Sequence, residues 1–122
     1  MGMTVRALRG AIQIVGDDRD EYFAQIQELL GEILSQNQVA QEDLISILFT
    51  ATPDLKIDFP AVAARKMGLT EVPLMCAVEM EIAGALPRTV RVLAHANLER
   101  PRAEIKHIYL GGAVVLRPDL AK

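Results

Sequence analysis

Apolar residues recur along this chain with two periods, and the switches between them mark out its elements. From Thr4 to Ile14 the side chains alternate. Val5, Ala7, Arg9 and Ala11 share one face, and Arg6, Leu8, Gly10 and Ile12 the other. This predicts a strand. Each face carries one arginine, so alternation alone does not say which is functional. Gly16-Asp17-Asp18 ends the strand and opens a helix, with Asp18 placed to cap it and Glu21 three residues on. Tyr22, Phe23, Ile26, Leu29, Leu30, Ile33 and Leu34 form one stripe, which predicts a core-facing helix to about Gln36. Gly31 interrupts it at a cost of about 1 kcal/mol.

The period changes again after a turn at Gln41-Glu42-Asp43. Leu44 to Ala51 is a near-continuous apolar run, which predicts a strand covered on both faces. Thr52-Pro53-Asp54 breaks it. Phe59-Pro60 opens a short helix with proline in its first turn, and Gly68 is placed to end it. Phe59, Ala63 and Met67 follow one line of that helix, with Arg65 off the line. Val72 to Met75 reads as a third strand, Gly84 to Pro87 as a loop, and Thr89 to Ala96 as a fourth strand. Thr89, Arg91, Leu93 and His95 share one face of it. Pro101 to Glu104 is a turn or short helical piece. Ile105 to Leu110 reads as a fifth strand, bent by Gly111-Gly112 towards Ala113 to Leu116. Arg117-Pro118-Asp119 ends it, because proline cannot donate to a ladder. The order β-α-β-α-β-β-β predicts an α/β (α+β) domain with a mixed five-stranded sheet and two main helices.

The 122 residues make one domain, 1–122, with no repeat or linker. A chain this long buries roughly two thirds of its unfolded surface, enough for a modest core. A net charge of -3 and few aromatics give no reason to expect nucleic acid. The single cysteine, Cys76, excludes an internal disulfide and fits a reducing cytoplasm. The first residues lack the apolar run of a signal peptide, and no run approaches a membrane span. The expectation is a cytoplasmic protein with no membrane partner.

Two charges stand where a packed sheet should be apolar. Glu79 lies within Met-Cys-Ala-Val-Glu-Met, and Arg91 within Val-Arg-Val-Leu-Ala. A buried, unpaired charge is very costly, so each needs a partner or a wet cavity. That points to a site for a polar, anionic ligand. A metal is not expected, since His95 and His107 are far apart with no partner at ligand spacing. Cysteine catalysis needs a base and an orienting group beside Cys76, and a lone cysteine after a strand is ordinarily a small buried hydrophobe. Gly84 and Gly111-Gly112 fit no phosphate loop. What remains is Arg9, Arg65, Arg91 and Arg117, on or beside strands. Taken singly, each reads as a solvated strand-edge charge. Brought together they would grip a polyanion, because guanidinium forks onto carboxylates. Tyr109 reads either as a core aromatic with a bonded hydroxyl or as a pocket wall.

A set of short pieces, in order, covers nearly the whole chain: Arg-Ala-Leu-Arg-Gly-Ala (6–11), Ala-Thr-Pro-Asp-Leu (51–55), Phe-Pro-Ala (59–61), Val-Pro-Leu-Met-Cys (72–76), Glu-Met (79–80), Arg-Val (91–92), His-Ile-Tyr-Leu (107–110) and Ala-Val-Val-Leu-Arg-Pro-Asp-Leu (113–120). Together they resemble the monofunctional chorismate mutases of the AroH class. Leu-Arg-Pro-Asp-Leu is the most specific piece. The resemblance implies a pseudo-barrel homotrimer with a site at each interface. It implies the Claisen rearrangement of chorismate to prephenate, on the route to phenylalanine and tyrosine, without metal or cofactor. By motif match, Arg9 would hold a substrate carboxylate, and Arg91 the ether oxygen and also a carboxylate. Glu79 would accept from the ring hydroxyl, with Cys76 nearby. Tyr109 would contact a carboxylate. Phe59, Ala61, Arg65, Leu74, Met75, Met80 and Leu116 would line the pocket, and Arg117 would close it.

Val62 stands where other members can have lysine, and Met75 where they can have threonine. Both read as pocket-edge changes that touch affinity more than chemistry. The chain ends at Lys122, soon after the last motif, so the ordering of a longer tail over the site is not expected. A sigmatropic rearrangement needs neither nucleophile nor proton transfer, which fits a chain with arginines and no triad. Two alternatives remain: an enamine/imine deaminase-like trimer, and a non-catalytic trimer that binds an aromatic metabolite. Consumption of chorismate separates all three.

Overall fold

The structure, a computed structural model, describes residues 2–117. The expectations placed on Pro118, Asp119, Leu120 and the tail to Lys122 lie outside the described residues. Five strands, β1 (Thr4–Gln13), β2 (Leu44–Ala51), β3 (Leu74–Val78), β4 (Thr89–Leu98) and β5 (Ile108–Leu110), form one sheet in the order β3-β2-β4-β1-β5. β4 runs antiparallel to both β1 and β2, and the outer pairs β1/β5 and β2/β3 are parallel. The mixed sheet is therefore as the sequence predicts. Helices α1 (Arg19–Gln36) and α2 (Pro60–Lys66) supply the second layer.

The helices cover one face of the sheet. Ile26, Leu29, Leu30 and Ile33 of α1 pack with Leu8 and Ile12 of β1, Ile47 and Phe49 of β2, and Val90, Val92 and Ala94 of β4. The cap of α1 is as expected: Asp18 Oδ2 accepts the Glu21 N–H at 2.9 Å. Alternation along β4 then puts Arg91, Leu93 and His95 on the opposite face, while Val90, Val92 and Ala94 are buried.

Strand β2 departs from expectation. Its helix-side residues Ile47 and Phe49 are buried, but Ser46, Leu48 and Thr50 on the other side are only half-buried. A shift in register between Leu44 and Ser46 leaves Ile45 exposed. The strand is long and apolar because one face is core and the other lines a cavity. Strand β3 starts after Pro73 and continues to Val78.

The fifth strand is shorter than Ile105–Leu110, and the reason lies in side chains. His107 Nδ1 accepts the Arg9 N–H at 3.0 Å, where a backbone carbonyl would otherwise extend the ladder. Just before it, Asn37, almost fully buried, holds Lys106 at both ends. Its Oδ1 accepts the Lys106 N–H and its Nδ2 donates to the Lys106 carbonyl, each at 2.8 Å. Ala113 to Leu116 is also not a strand. Gly111 takes a φ of 57° and the chain winds into a 3-10 turn, Gly111–Val115, that lays Ala113 on Ala11 and Tyr109.

Gly10 marks the tightest packing in the sheet. A Cβ there would sit 2.7 Å from the Ile108 carbonyl oxygen and 2.8 Å from Ile33 Cδ1. Only glycine lets α1 and β5 both approach β1. Gly10→Ala is therefore expected to destabilise the fold by about 1–3 kcal/mol. Chemical denaturation measures this, and an unchanged midpoint would show that the backbone gives way freely.

Candidate active site on the open sheet face

Arg91 stands in the middle of β4, with Ala11 of β1 across one ladder and Thr50 of β2 across the other. Alanine leaves room beside the guanidinium, and threonine offers a hydroxyl. Glu79 is the first residue beyond β3, tied to the sheet by its N–H, which donates to the Ala51 carbonyl at 2.9 Å. Its carboxylate turns back over the face. Oε2 accepts from the Thr50 hydroxyl and lies 3.3 Å from Arg91 Nε. Both contacts fall on Oε2, and Oε1 accepts no hydrogen bond among the described residues. With the Arg91 side chain 47% exposed, the pair adds little to stability. Its position is better explained by what it faces.

It faces a cavity of about 450 Å³ lined by Arg9, Gly10, Leu48, Thr50, Glu79, Arg91, Val92, Leu93, Tyr109, Leu116 and Arg117. Arg9 lies on the same face of β1, opposite Leu93. Tyr109 of β5 pairs with Ala11, and its ring is buried with Ala113 and Leu116. It is core aromatic and pocket wall at once. Six of the residues singled out from sequence thus meet: Arg9, Glu79, Arg91, Tyr109, Leu116 and Arg117. Thr50, Leu48 and Leu93 were not singled out. Alternation places Leu93 beside Arg91, but which residue of β2 faces Arg91 depends on a register that no single strand reveals.

The other predicted residues lie elsewhere on the chain. Phe59 and Cys76 line a second cavity of about 650 Å³, with Arg19, Lys56 and Asp58. Behind it Tyr22 donates to the Asp58 carbonyl at 2.8 Å. Burial, with the nearby Cys76 and Asp58 charges, pushes the Tyr22 hydroxyl up to about 12. Arg65, Met75 and Met80 are exposed, Leu74 is half-buried, and Ala61 is buried in the core. Val62 also packs against the core. Among the described residues no group of three or more His, Cys, Asp or Glu could hold a metal ion. His95 meets Ser46 at 3.3 Å, and His107 meets the Arg9 amide. No helix of the described residues is long and apolar enough to cross a membrane.

The Ala-Thr-Pro-Asp turn holds β4 in register from one end. Thr52 N–H donates to the Thr89 carbonyl, and Thr89 N–H to Thr52 Oγ1, each at 3.0 Å. Asp54 takes the Thr52 hydroxyl at 2.5 Å and the Arg88 N–H at 3.0 Å. Those bonds, the Thr52 hydroxyl first, hold its carboxyl below the usual range. Arg88 has a φ of 55°, unusual for a side chain this size. Its guanidinium bonds the carbonyls of Ile14 and Gly16 and pairs with Asp17, and these contacts fix the conformation. Three residues on, Arg91 inherits that fixed start.

Comparison with known proteins follows the same lines. The family model for chorismate mutase type I matches residues 5–120. The chain is 44% identical over 117 residues to a chorismate mutase AroH of Thermus thermophilus, covering 95% of this chain and 96% of that one. It is 38% identical over 120 residues to the chorismate mutase AroH of Bacillus subtilis (strain 168), covering 98% and 94%. A solved chorismate mutase from Clostridium thermocellum superposes with a TM-score of 0.87 at 44% identity, covering 90% of this chain and 98% of that one.

His107 gives a test by pH. Its imidazole is held below the ordinary value of 6.5, chiefly by burial and then by the charges of Arg9 and Arg117. Nδ1 accepts the Arg9 amide only when unprotonated. The unfolded chain takes up the proton first, so this contribution is complete above pH 6.5 and is lost as pH falls through the folded value. Denaturation midpoints should therefore fall with acid below about pH 6.5. In His107→Asn, whose amide oxygen replaces Nδ1, that part of the slope should be missing. Parallel pH profiles for the two proteins would contradict it.

Proposed function

Because the chain belongs to the type I chorismate mutase family, it is a chorismate mutase, and we propose that it works by holding chorismate compactly against fixed charges, with no nucleophile and no proton transfer. The observation that carries this mechanism is the Arg91–Glu79 pair on the wall of a cavity that Arg9 and Arg117 also line. Chorismate carries two carboxylates, a ring hydroxyl and an ether oxygen, and the cavity presents groups of matching charge. Arg9 holds one carboxylate and Tyr109 contacts a carboxylate. Glu79 accepts from the ring hydroxyl through Oε1.

As the rearrangement proceeds, the C–O bond to the ether oxygen breaks and negative charge grows there. A new C–C bond closes at the other end, and prephenate results. Arg91 stabilises that charge more in the transition state than in the ground state, which is what accelerates a reaction. Holding the substrate pseudo-diaxial contributes the rest, by orientation. The reaction serves phenylalanine and tyrosine synthesis. We assign it to the cytoplasm, the usual compartment of a protein whose one cysteine is unpaired.

We also propose that the working unit is a homotrimer with sites at its interfaces. Two features support this. The residues expected around the substrate are dispersed within one chain: Arg91 lines one cavity, Phe59 and Cys76 a second, and Arg65, Met75 and Met80 are exposed outside both. Met75, Val78, Met80 and Ile82, along and beyond edge strand β3, are 65, 69, 78 and 58% exposed, as an apolar surface awaiting a neighbour would be. Met75 lies on that surface, where a change from threonine alters a rim more than a charge.

The test is direct turnover. Purified protein should consume chorismate, followed by loss of its diene absorbance, with prephenate identified as product. Arg91→Ala should lose about 10²–10³ in kcat, the usual effect of removing such a donor. Arg91→Lys, which keeps charge but not the planar fork, should also fall well short. Arg117→Ala should act mainly on KM. An Arg91→Ala protein that folds and turns over within about threefold of wild type would overturn the mechanism, since that is under 1 kcal/mol.

A further inference from the structure

We infer that Thr50 is a positioning residue of this reaction: its hydroxyl fixes the Glu79 carboxylate so that Oε1 is left for the substrate and Arg91 is not spent on Glu79. The inference rests on the function proposed above, and Thr50 lies outside the motifs that carry the family resemblance.

Glu79 needs such a residue. It lies beyond the end of β3, and the chain from Met80 to Arg88 forms no regular structure. Its backbone is held at one point, the Ala51 carbonyl. A glutamate side chain so placed has several rotamers open to it, and selecting one costs entropy each time the substrate arrives. It also has a competing partner. A carboxylate beside a guanidinium tends towards a two-pronged pair, using both oxygens and both donor arms. That arrangement would take the arms of Arg91 that the ether oxygen needs, and would turn Oε1 away from the ring hydroxyl.

The contacts of Thr50 oppose both outcomes. It stands directly across the ladder from Arg91, where side chains on one face come within about 5 Å. Its hydroxyl donates to Glu79 Oε2, the same oxygen that Arg91 reaches through Nε. Oε2 is thus engaged from both sides, and the approach of Arg91 to it is through the inner nitrogen, Nε, at 3.3 Å. Threonine suits the task because its β-branch restricts χ1, and strand geometry restricts it further. The hydroxyl is thus aimed before substrate binds.

The ordinary explanation is that threonine favours strands. It predicts that valine, with the same shape and an equal preference for strands, would serve as well. The two accounts separate in a double-mutant cycle. Thr50→Val and Thr50→Ser are made alone and in a Glu79→Ala background, and kcat, KM and the melting temperature are measured with chorismate.

Thr50→Val should lose about tenfold or more in kcat/KM, the usual effect of deleting a hydrogen bond to a charged group. Most of the loss should be in kcat, with the melting temperature unchanged. Thr50→Ser should stay within about threefold of wild type, because the donor is kept. In the Glu79→Ala background, Thr50→Val should cost less than about twofold, because there is nothing left to position. Thr50→Ala repeats the deletion in case valine packs poorly. Full activity in both deletions, or an equal loss with and without Glu79, overturns the role. If wild type turns over chorismate and Thr50→Val is unaffected, this inference alone fails. If wild type does not turn it over, the functional reading fails and the inference with it.

Discussion

A guanidinium on the central strand of a sheet has to be partnered without being neutralised, and much of this structure follows from that demand. Full burial would make Arg91 costly to leave without an anion. Full solvation would screen its charge. The chain adopts neither extreme. Helices cover one face of β4, so alternation sends Arg91 to the other. Ala11 keeps its flank open and Glu79 balances it, with Oε2 3.3 Å from Nε. Arg9 and Arg117 then make the cavity cationic beyond the pair.

The surroundings are rigid where that charge must be fixed. Strand β4 pairs on both sides, and its start is tied down by Thr52, Asp54 and Arg88. Gly10 permits the close packing of α1 against β1 immediately beside Arg9. Below Arg9, a histidine ring nitrogen does the work of a backbone carbonyl. Preorganised charge is effective because nothing has to reorganise at the moment of reaction. The apolar edge along β3 is the opposite kind of surface, unpaired and exposed. Its outward Met75 and Val78 fit contact with another chain better than contact with water.

Much of this was legible in the sequence, for reasons that can be named. Helix α1 was legible because Asp18 caps it and a complete apolar stripe follows. The bounds of β2 were legible because breakers flank an apolar run. Glu79, Arg91 and Arg9 stood out as charges among apolar neighbours, and all three line one cavity. What was not legible depended on contacts distant in sequence. β5 is short because Asn37 and His107 replace ladder bonds with side chains, 69 and 98 residues away from their partners. Thr50 was hidden because a hydroxyl in a strand is unremarkable until register sets it opposite Arg91. The apolar run of β2 suggested cover on both faces, although one of them is a cavity wall. Nor could spacing reveal that Phe59 and Cys76 would sit at a different cavity from Arg91.

The division between those two cavities can be tested directly. If each working site joins the Arg91 face of one chain to the Phe59 cavity of another, two defective chains can repair each other. Arg91→Ala and Phe59→Ala variants, each expected to be poorly active alone, would be mixed, unfolded and refolded together, and assayed with chorismate. Random assembly of a closed ring leaves both residues intact in about a quarter of the sites. The mixture should therefore recover about a quarter of wild-type activity, well above either parent. Activity that never exceeds the mean of the two variants would contradict a shared site and place the whole of catalysis within one chain.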